Sequence, residues 1–123
     1  MTEDTPLLVI VDAANVVGSV PDGWWRDRRG AAERLRDRLA ADGVPGHAEP
    51  VEIVLVVEGA ARGVESVPGV RVESAAGSGD DHMVELVALA GGRPCLVVTA
   101  DRELRRRVTE LGADVAGPRT VRP

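Results

Sequence analysis

Three short apolar runs, each followed within three residues by an acid, constrain this chain more than any other feature in it. Residues 7–11 read Leu-Leu-Val-Ile-Val between Pro6 and Asp12, residues 51–57 lead into Glu58-Gly59, and residues 95–98 read Cys-Leu-Val-Val ahead of Thr99, Ala100 and Asp101. Runs of this length with little polar alternation predict strands buried on both faces, the habit of parallel sheets covered by helices. Residues 70–73 alternate as a short strand, and residues 113–116 supply a last one before a Pro- and Arg-containing tail.

The segments between the runs carry helical spacing. Across residues 24–41, Trp25, Ala32, Leu35 and Leu39 recur in one register until Asp42-Gly43 stops the pattern, so Trp25 is expected in the core. Met83, Val84, Val87 and Ala90 form a second stripe that ends at Gly91-Gly92. Leu104, Val108 and Leu111 form a third over residues 101–111, with Gly112 as its cap. Residues 16–23 and 75–79 read as loops, 44–50 as a linker, and 60–69 as a short helical turn or loop. Strand and helix alternate throughout, which predicts a three-layer α/β/α sandwich on a mostly parallel sheet, with residues 1–123 as a single domain.

Ligands of such sheets bind beyond the carboxyl ends of the strands. Asp12, Glu58 and Asp101 all fall on that edge, and the crossover out of the third strand must deliver Asp80 and Asp81, at the start of the second clear helix, to the same place. Carboxylates crowded together raise one another's pKa unless a cation neutralises them. One cysteine and two histidines leave no sulfur-rich zinc site, so oxygen ligands point to Mg²⁺ or Mn²⁺. Such an ion activates water and stabilises charge on a phosphoryl oxygen, which points to phosphodiester hydrolysis. Structural roles exist for the same residues: Asp101 suits the N-cap of its helix, Ser78 and Asp81 match a capping box, and Asn15 suits an Asx-turn or an amide that holds a water or phosphate oxygen.

Charge narrows the chemistry further. The net charge is −5 and every one of the 15 basic residues is Arg, which removes the lysine-dependent alternatives: P-loop phosphate binding, Schiff bases, kinases, receiver domains and HAD-type phosphatases. Any attraction for a polyanion must be local. Arg26, Arg28 and Arg29 open the first helix, and Arg102, Arg105 and Arg106 lie on the helix that Asp101 opens; Arg26 and Arg102 are the expected phosphate contacts. Trp24 and Trp25 are the only aromatic residues, and Trp24 is the expected base-stacking partner. His82, beside Asp81, is a secondary base or ligand, and Cys95 a small core hydrophobe. The polar opening Met-Thr-Glu-Asp-Thr-Pro is unlike a secretory signal and no apolar run is long enough to span a membrane, so the expected location is the cytoplasm, with no membrane partner.

With Ile10-Val11-Asp12-Ala13-Ala14-Asn15-Val16-Val17-Gly18 and Val97-Val98-Thr99-Ala100-Asp101-Arg102-Glu103-Leu104, the sequence resembles the NYN branch of PIN-like nucleases, especially the YacP-like group, over most of its length. Asp12 and Asn15 keep the spacing of that family's Asp-Gly-Tyr-Asn motif, while Ala13 and Ala14 replace its middle pair. Glu58-Gly59 stands where the family has Asp-Gly, Asp80 matches its helix-opening acid with Asp81 beside it, and Thr99-Ala100-Asp101 matches its last motif. The resemblance implies a PIN-like fold and Mg²⁺- or Mn²⁺-dependent endoribonuclease activity, with RNA, single-stranded or structured, as substrate. By that resemblance Asp12, Asp80 and Asp101 hold the metal, Glu58 assists, and Asn15 and Thr99 orient water or phosphate. Two other readings stay open: a non-cutting PIN-like module that binds RNA or protein, and a nucleotide phosphohydrolase. A homodimer is compatible with either.

Overall fold

A computed structural model describes residues 5–47 and 50–122. Five strands, β1 (Leu7–Asp12), β2 (Val51–Val57), β3 (Val70–Ser74), β4 (Cys95–Val98) and β5 (Asp114–Ala116), form one sheet in the order β3-β2-β1-β4-β5. Every neighbouring pair is parallel. Four helices, α1 (Ala13–Val17), α2 (Arg28–Asp42), α3 (Gly79–Leu89) and α4 (Arg102–Glu110), cover its two faces. The expected three-layer sandwich is therefore the architecture observed. Residues 48 and 49 of the expected linker lie outside the described residues.

Side-chain alternation divides the core in two. Val9 and Val11 of β1, with Ile53, Leu55 and Val57 of β2, pack against Val16 and Val17 of α1 and Leu35 and Leu39 of α2. Leu8 and Ile10, with Val54, Val56 and Val97, pack against Met83 and Val87 of α3 and Leu104 and Val108 of α4. Both sets of strand residues are buried, which is why the runs carry almost no polar alternation.

Two expectations are corrected here. The helix predicted from residue 24 begins at Arg28: Trp24–Arg26 form a separate 3-10 turn, and Asp27, with φ −153°, caps α2 by accepting the Gly30 N–H at 2.9 Å. That break cancels the register that placed Trp25 with Leu35 and Leu39. Trp25 is 49% exposed, and Trp24 packs against the core in its stead. The predicted loop at residues 16–23 opens instead with the last two residues of α1, whose N-cap is Asp12. The tail is docked: Val121 is buried, and Arg122 donates to the Val17 carbonyl and pairs with Asp22.

Candidate active site

The strand order reverses beside β1: one chain path runs outward through β2 to β3, the other through β4 to β5. The carboxyl ends of β1 and β4 therefore flank a topological switch point, where parallel α/β sheets leave a crevice. Period-two alternation fixes which way the residues at this edge face. Asp12 shares parity with Leu8 and Ile10, Glu58 with Val54 and Val56, and Thr99 with Cys95 and Val97, and all of those apolar residues belong to the α3/α4 side of the core. That is the side on which α3 and α4 begin, bringing Asp80 and Asp101 with them.

Asp12 is 5% exposed and is held on both oxygens. The Thr99 hydroxyl donates to its Oδ2 at 2.9 Å, and the Asn15 N–H reaches its Oδ1 at 3.3 Å. Thr99, fully buried, in turn accepts the Asp101 N–H at 3.1 Å on the same hydroxyl oxygen. The Asn15 side-chain oxygen accepts the Ala100 N–H at 2.8 Å, and Arg105 Nε holds the Thr99 carbonyl at 2.7 Å. Three consecutive residues after β4 are thus tied down, two of them directly to the turn after β1. The Asn15 side-chain oxygen thus bonds Ala100 instead of closing its own Asx-turn, and the Thr99 hydroxyl bridges Asp12 and the Asp101 N–H.

Asp101 caps α4, accepting the Leu104 N–H at 2.9 Å, and also lies close enough to Asp80 to raise its pKa. The capping and the site-forming readings of Asp101 therefore hold together. Glu58 reaches across to the start of α3, where its Oε1 accepts the Gly79 N–H at 3.1 Å. Gly59, at φ +59°, takes the left-handed conformation that turns the chain away immediately after Glu58.

Electrostatics record the crowding. Burial, reinforced by the charges of Asp80 and Glu58, pushes Asp12 up to about 6, against the lowering effect of the Thr99 and Asn15 hydrogen bonds. Asp80 is also raised, first by burial and then by Asp101 and Glu58, while Arg107 pulls it down. Asp80 and Glu58 thus stand close enough to act on Asp12, and Asp101 and Glu58 close enough to act on Asp80. Asp81 also raises Asp80, by less, but its own side chain is 69% exposed and pairs with Arg107 at 2.9 Å. His82 faces Glu73 at 2.6 Å and is likewise occupied elsewhere.

Among the described residues, no three His, Cys, Asp or Glu side chains stand close enough to share one ion. An all-oxygen donor set of this spacing fits Mg²⁺, which usually keeps several waters and takes only one or two carboxylates from the protein. It does not fit a closed cage such as a structural zinc site.

Beside the acids, on the α1/α2 side, a groove of about 180 Å³ is lined by Ala13, Ala14, Val17, Trp24, Arg28, Ala32, Glu58, Gly59 and Ala61. The Arg28 guanidinium lies over the Trp24 ring, 5.3 Å from its centroid. Composition alone did not single out Arg28; the cue was its spacing of four from Trp24, which the break at Asp27 turns into a stacked pair. Arg26, the expected contact, lies 5.9 Å over the Trp25 ring, and Arg102 is exposed on α4.

No family model matches the sequence, and neither does any curated protein. Among solved structures, a point mutant of Rae1 (YacP) from Bacillus subtilis is similar with a TM-score of 0.71, over 93% of this chain and 71% of that one, at 17% identity. The likeness shows the fold. That neighbour bears the name of the YacP-like group whose motifs this sequence resembles, so sequence pattern and backbone lead to the same architecture by separate routes. Among the described residues, no helix is long and apolar enough to cross a membrane.

Proposed function

We propose that this protein is a metal-dependent ribonuclease that hydrolyses phosphodiester bonds at the carboxylate edge of its sheet. The observation that carries the reading is the gathering of Asp12, Glu58, Asp80 and Asp101 at one edge of the sheet, with a buried Asp12 raised to about 6. Keeping four acids together without a cation is costly, and a site that tolerates the cost is a functional candidate.

One or two of Asp12, Asp80 and Asp101 would hold Mg²⁺ or Mn²⁺ with water completing its shell, and Glu58 would assist. When bound, such an ion activates a water at neutral pH and stabilises charge on the phosphate. The chain's own contribution is positioning. Thr99 fixes the orientation of Asp12 and links it to the backbone of Asp101, while Asn15 keeps the β4–α4 turn against the β1–α1 turn. Glu58 ties the end of β2 to the start of α3, which sets the height of Asp80 over the strand ends.

RNA as substrate is supported by the YacP-like motifs and fold, and by the absence of any lysine for the phosphate chemistries that need one. One observation favours a second reading, a module that binds RNA without cutting it: no three ligands converge on a single point. Cleavage of single-stranded and structured RNA in Mn²⁺ by wild type, Asp12→Asn and Asp101→Asn separates them. Activity in wild type alone supports the nuclease; equal activity in all three, or none in wild type, overturns it.

A further inference from the structure

We propose that the groove between α1, α2 and the end of β2 is a pocket for one unpaired nucleobase, walled by Trp24, with Arg28 receiving the adjoining phosphate. This rests on the reading of the chain as an RNA-acting protein and adds where the strand is gripped. At about 180 Å³ the groove is smaller than the roughly 300 Å³ at which pockets for drug-sized ligands begin, so it suits a single ring system and not a whole dinucleotide or cofactor.

Its chemistry is that of a base site. The walls are mostly small and apolar, Ala13, Ala14, Ala32 and Ala61, and the one aromatic surface is the Trp24 indole. Stacking on such a ring is tolerant of base identity, because every base has a π-face. Arg29 on α2 pairs with Glu33 and Arg36 with Asp37, whereas Arg28, like Arg34 and Arg38, pairs with no carboxylate among the described residues; of these three, Arg28 is the one that rests on an aromatic ring, Trp24. A cation left without an acid, stacked on an indole, meets both halves of a nucleotide, the base by its plane and the phosphate by its charge.

Position links the pocket to the acids. Glu58 lines the groove and also raises the pKa of both Asp12 and Asp80, and Ala13 is the residue next to Asp12. A base seated against Trp24 therefore brings its own backbone to the carboxylate edge. A volume of about 180 Å³ has no room for a base with its pairing partner attached, so the pocket selects an unpaired nucleotide.

Intrinsic fluorescence provides the test, since Trp24 and Trp25 are the only aromatic residues. In a Trp25→Leu background only Trp24 reports. Short oligoribonucleotides, and abasic ribose-phosphate oligomers of the same length, are titrated in EDTA so that nothing is cut. The expected result is quenching by the base-bearing oligomer, with the abasic one bound about tenfold more weakly. Ala14→Leu, an exposed substitution that fills the groove with Trp24 and the core intact, gives a similar loss, as does Trp24→Leu measured by competition with a labelled oligomer. Equal affinity for both oligomers, or no change in either variant, overturns the proposal. Cleavage of the same oligomers in Mn²⁺ keeps the two readings apart. Base-selective quenching without cleavage leaves the pocket standing and removes the nuclease; Asp12-dependent cleavage with no base selectivity does the reverse.

Discussion

Replacing Asp12 by Asn should stabilise the metal-free protein at neutral pH, and by an amount that depends on pH in a defined direction. In the fold the Asp12 carboxyl is raised from 3.8 to about 6, chiefly by burial. At about 1.4 kcal/mol per unit, the ionised form costs the native state about 3 kcal/mol. The unfolded chain gives up the proton first, so the native state holds more protons between pH 3.8 and about 6, and stability falls across that window as pH rises. Below it both states are protonated and the penalty vanishes; above it the penalty is complete. Asn cannot ionise and escapes it. Its oxygen can still accept the Asn15 N–H, but its amide faces a Thr99 hydroxyl that donates in the wild type, a mismatch worth about 1 kcal/mol. Urea unfolding in EDTA from pH 3 to pH 8 should therefore show the variant about 1 kcal/mol less stable at the acid end and about 2 kcal/mol more stable at the alkaline end. Mg²⁺ should stabilise the wild type and leave the variant unchanged, because a ligand of the native state shifts the equilibrium only where it binds. A stability difference that stays constant across the pH range would refute the reasoning.

Three further outcomes follow from the same contacts. Asp101→Asn keeps an oxygen for the Leu104 N–H and should lose RNA cleavage at nearly unchanged stability, whereas Asp101→Ala should also cost about 1 kcal/mol in thermal or chemical denaturation. Thr99→Val strips a buried Asp12 of one donor and the Asp101 N–H of its acceptor; it should destabilise by about 1–3 kcal/mol and move the acid limb of any pH–activity profile upward. Gly79→Ala places a Cβ against Glu58 Oε1, the end of a flexible side chain, so kinetics should show reduced cleavage while unfolding shows little change.

Much of this arrangement was legible because it depends on short-range rules. Continuous apolar runs placed β1, β2 and β4 to within a residue, and an acid at or just past the end of a buried strand marked the edge where Asp12 and Glu58 lie. Parity along the strands goes further, since Asp12 and Glu58 had to face the side of Leu8 and Val54. What could not be read depends on contacts between distant residues or on competition between local signals. Helical periodicity favoured a helix from Trp24, but Asp27 captures the Gly30 N–H and restarts it, exposing Trp25. Asn15 bonds Ala100, 85 residues away, a pairing that only the adjacency of β1 and β4 creates. Asp80 and Asp81 differ by one position, and the capping box set Asp81 apart from Asp80, but not its partner; the packing of α3 beside α4 gives Asp81 to Arg107.

The claim that these four acids form a cation site is tested most directly by a crystal of the wild-type protein soaked in Mn²⁺, with anomalous diffraction recorded at the manganese edge. The expected result is an anomalous peak at the switch point, bound by one or two of Asp12, Asp80 and Asp101 with water completing the coordination, and absent from the Asp12→Asn crystal treated in the same way. No peak at that edge in the wild type, or an equal peak in both crystals, would contradict it.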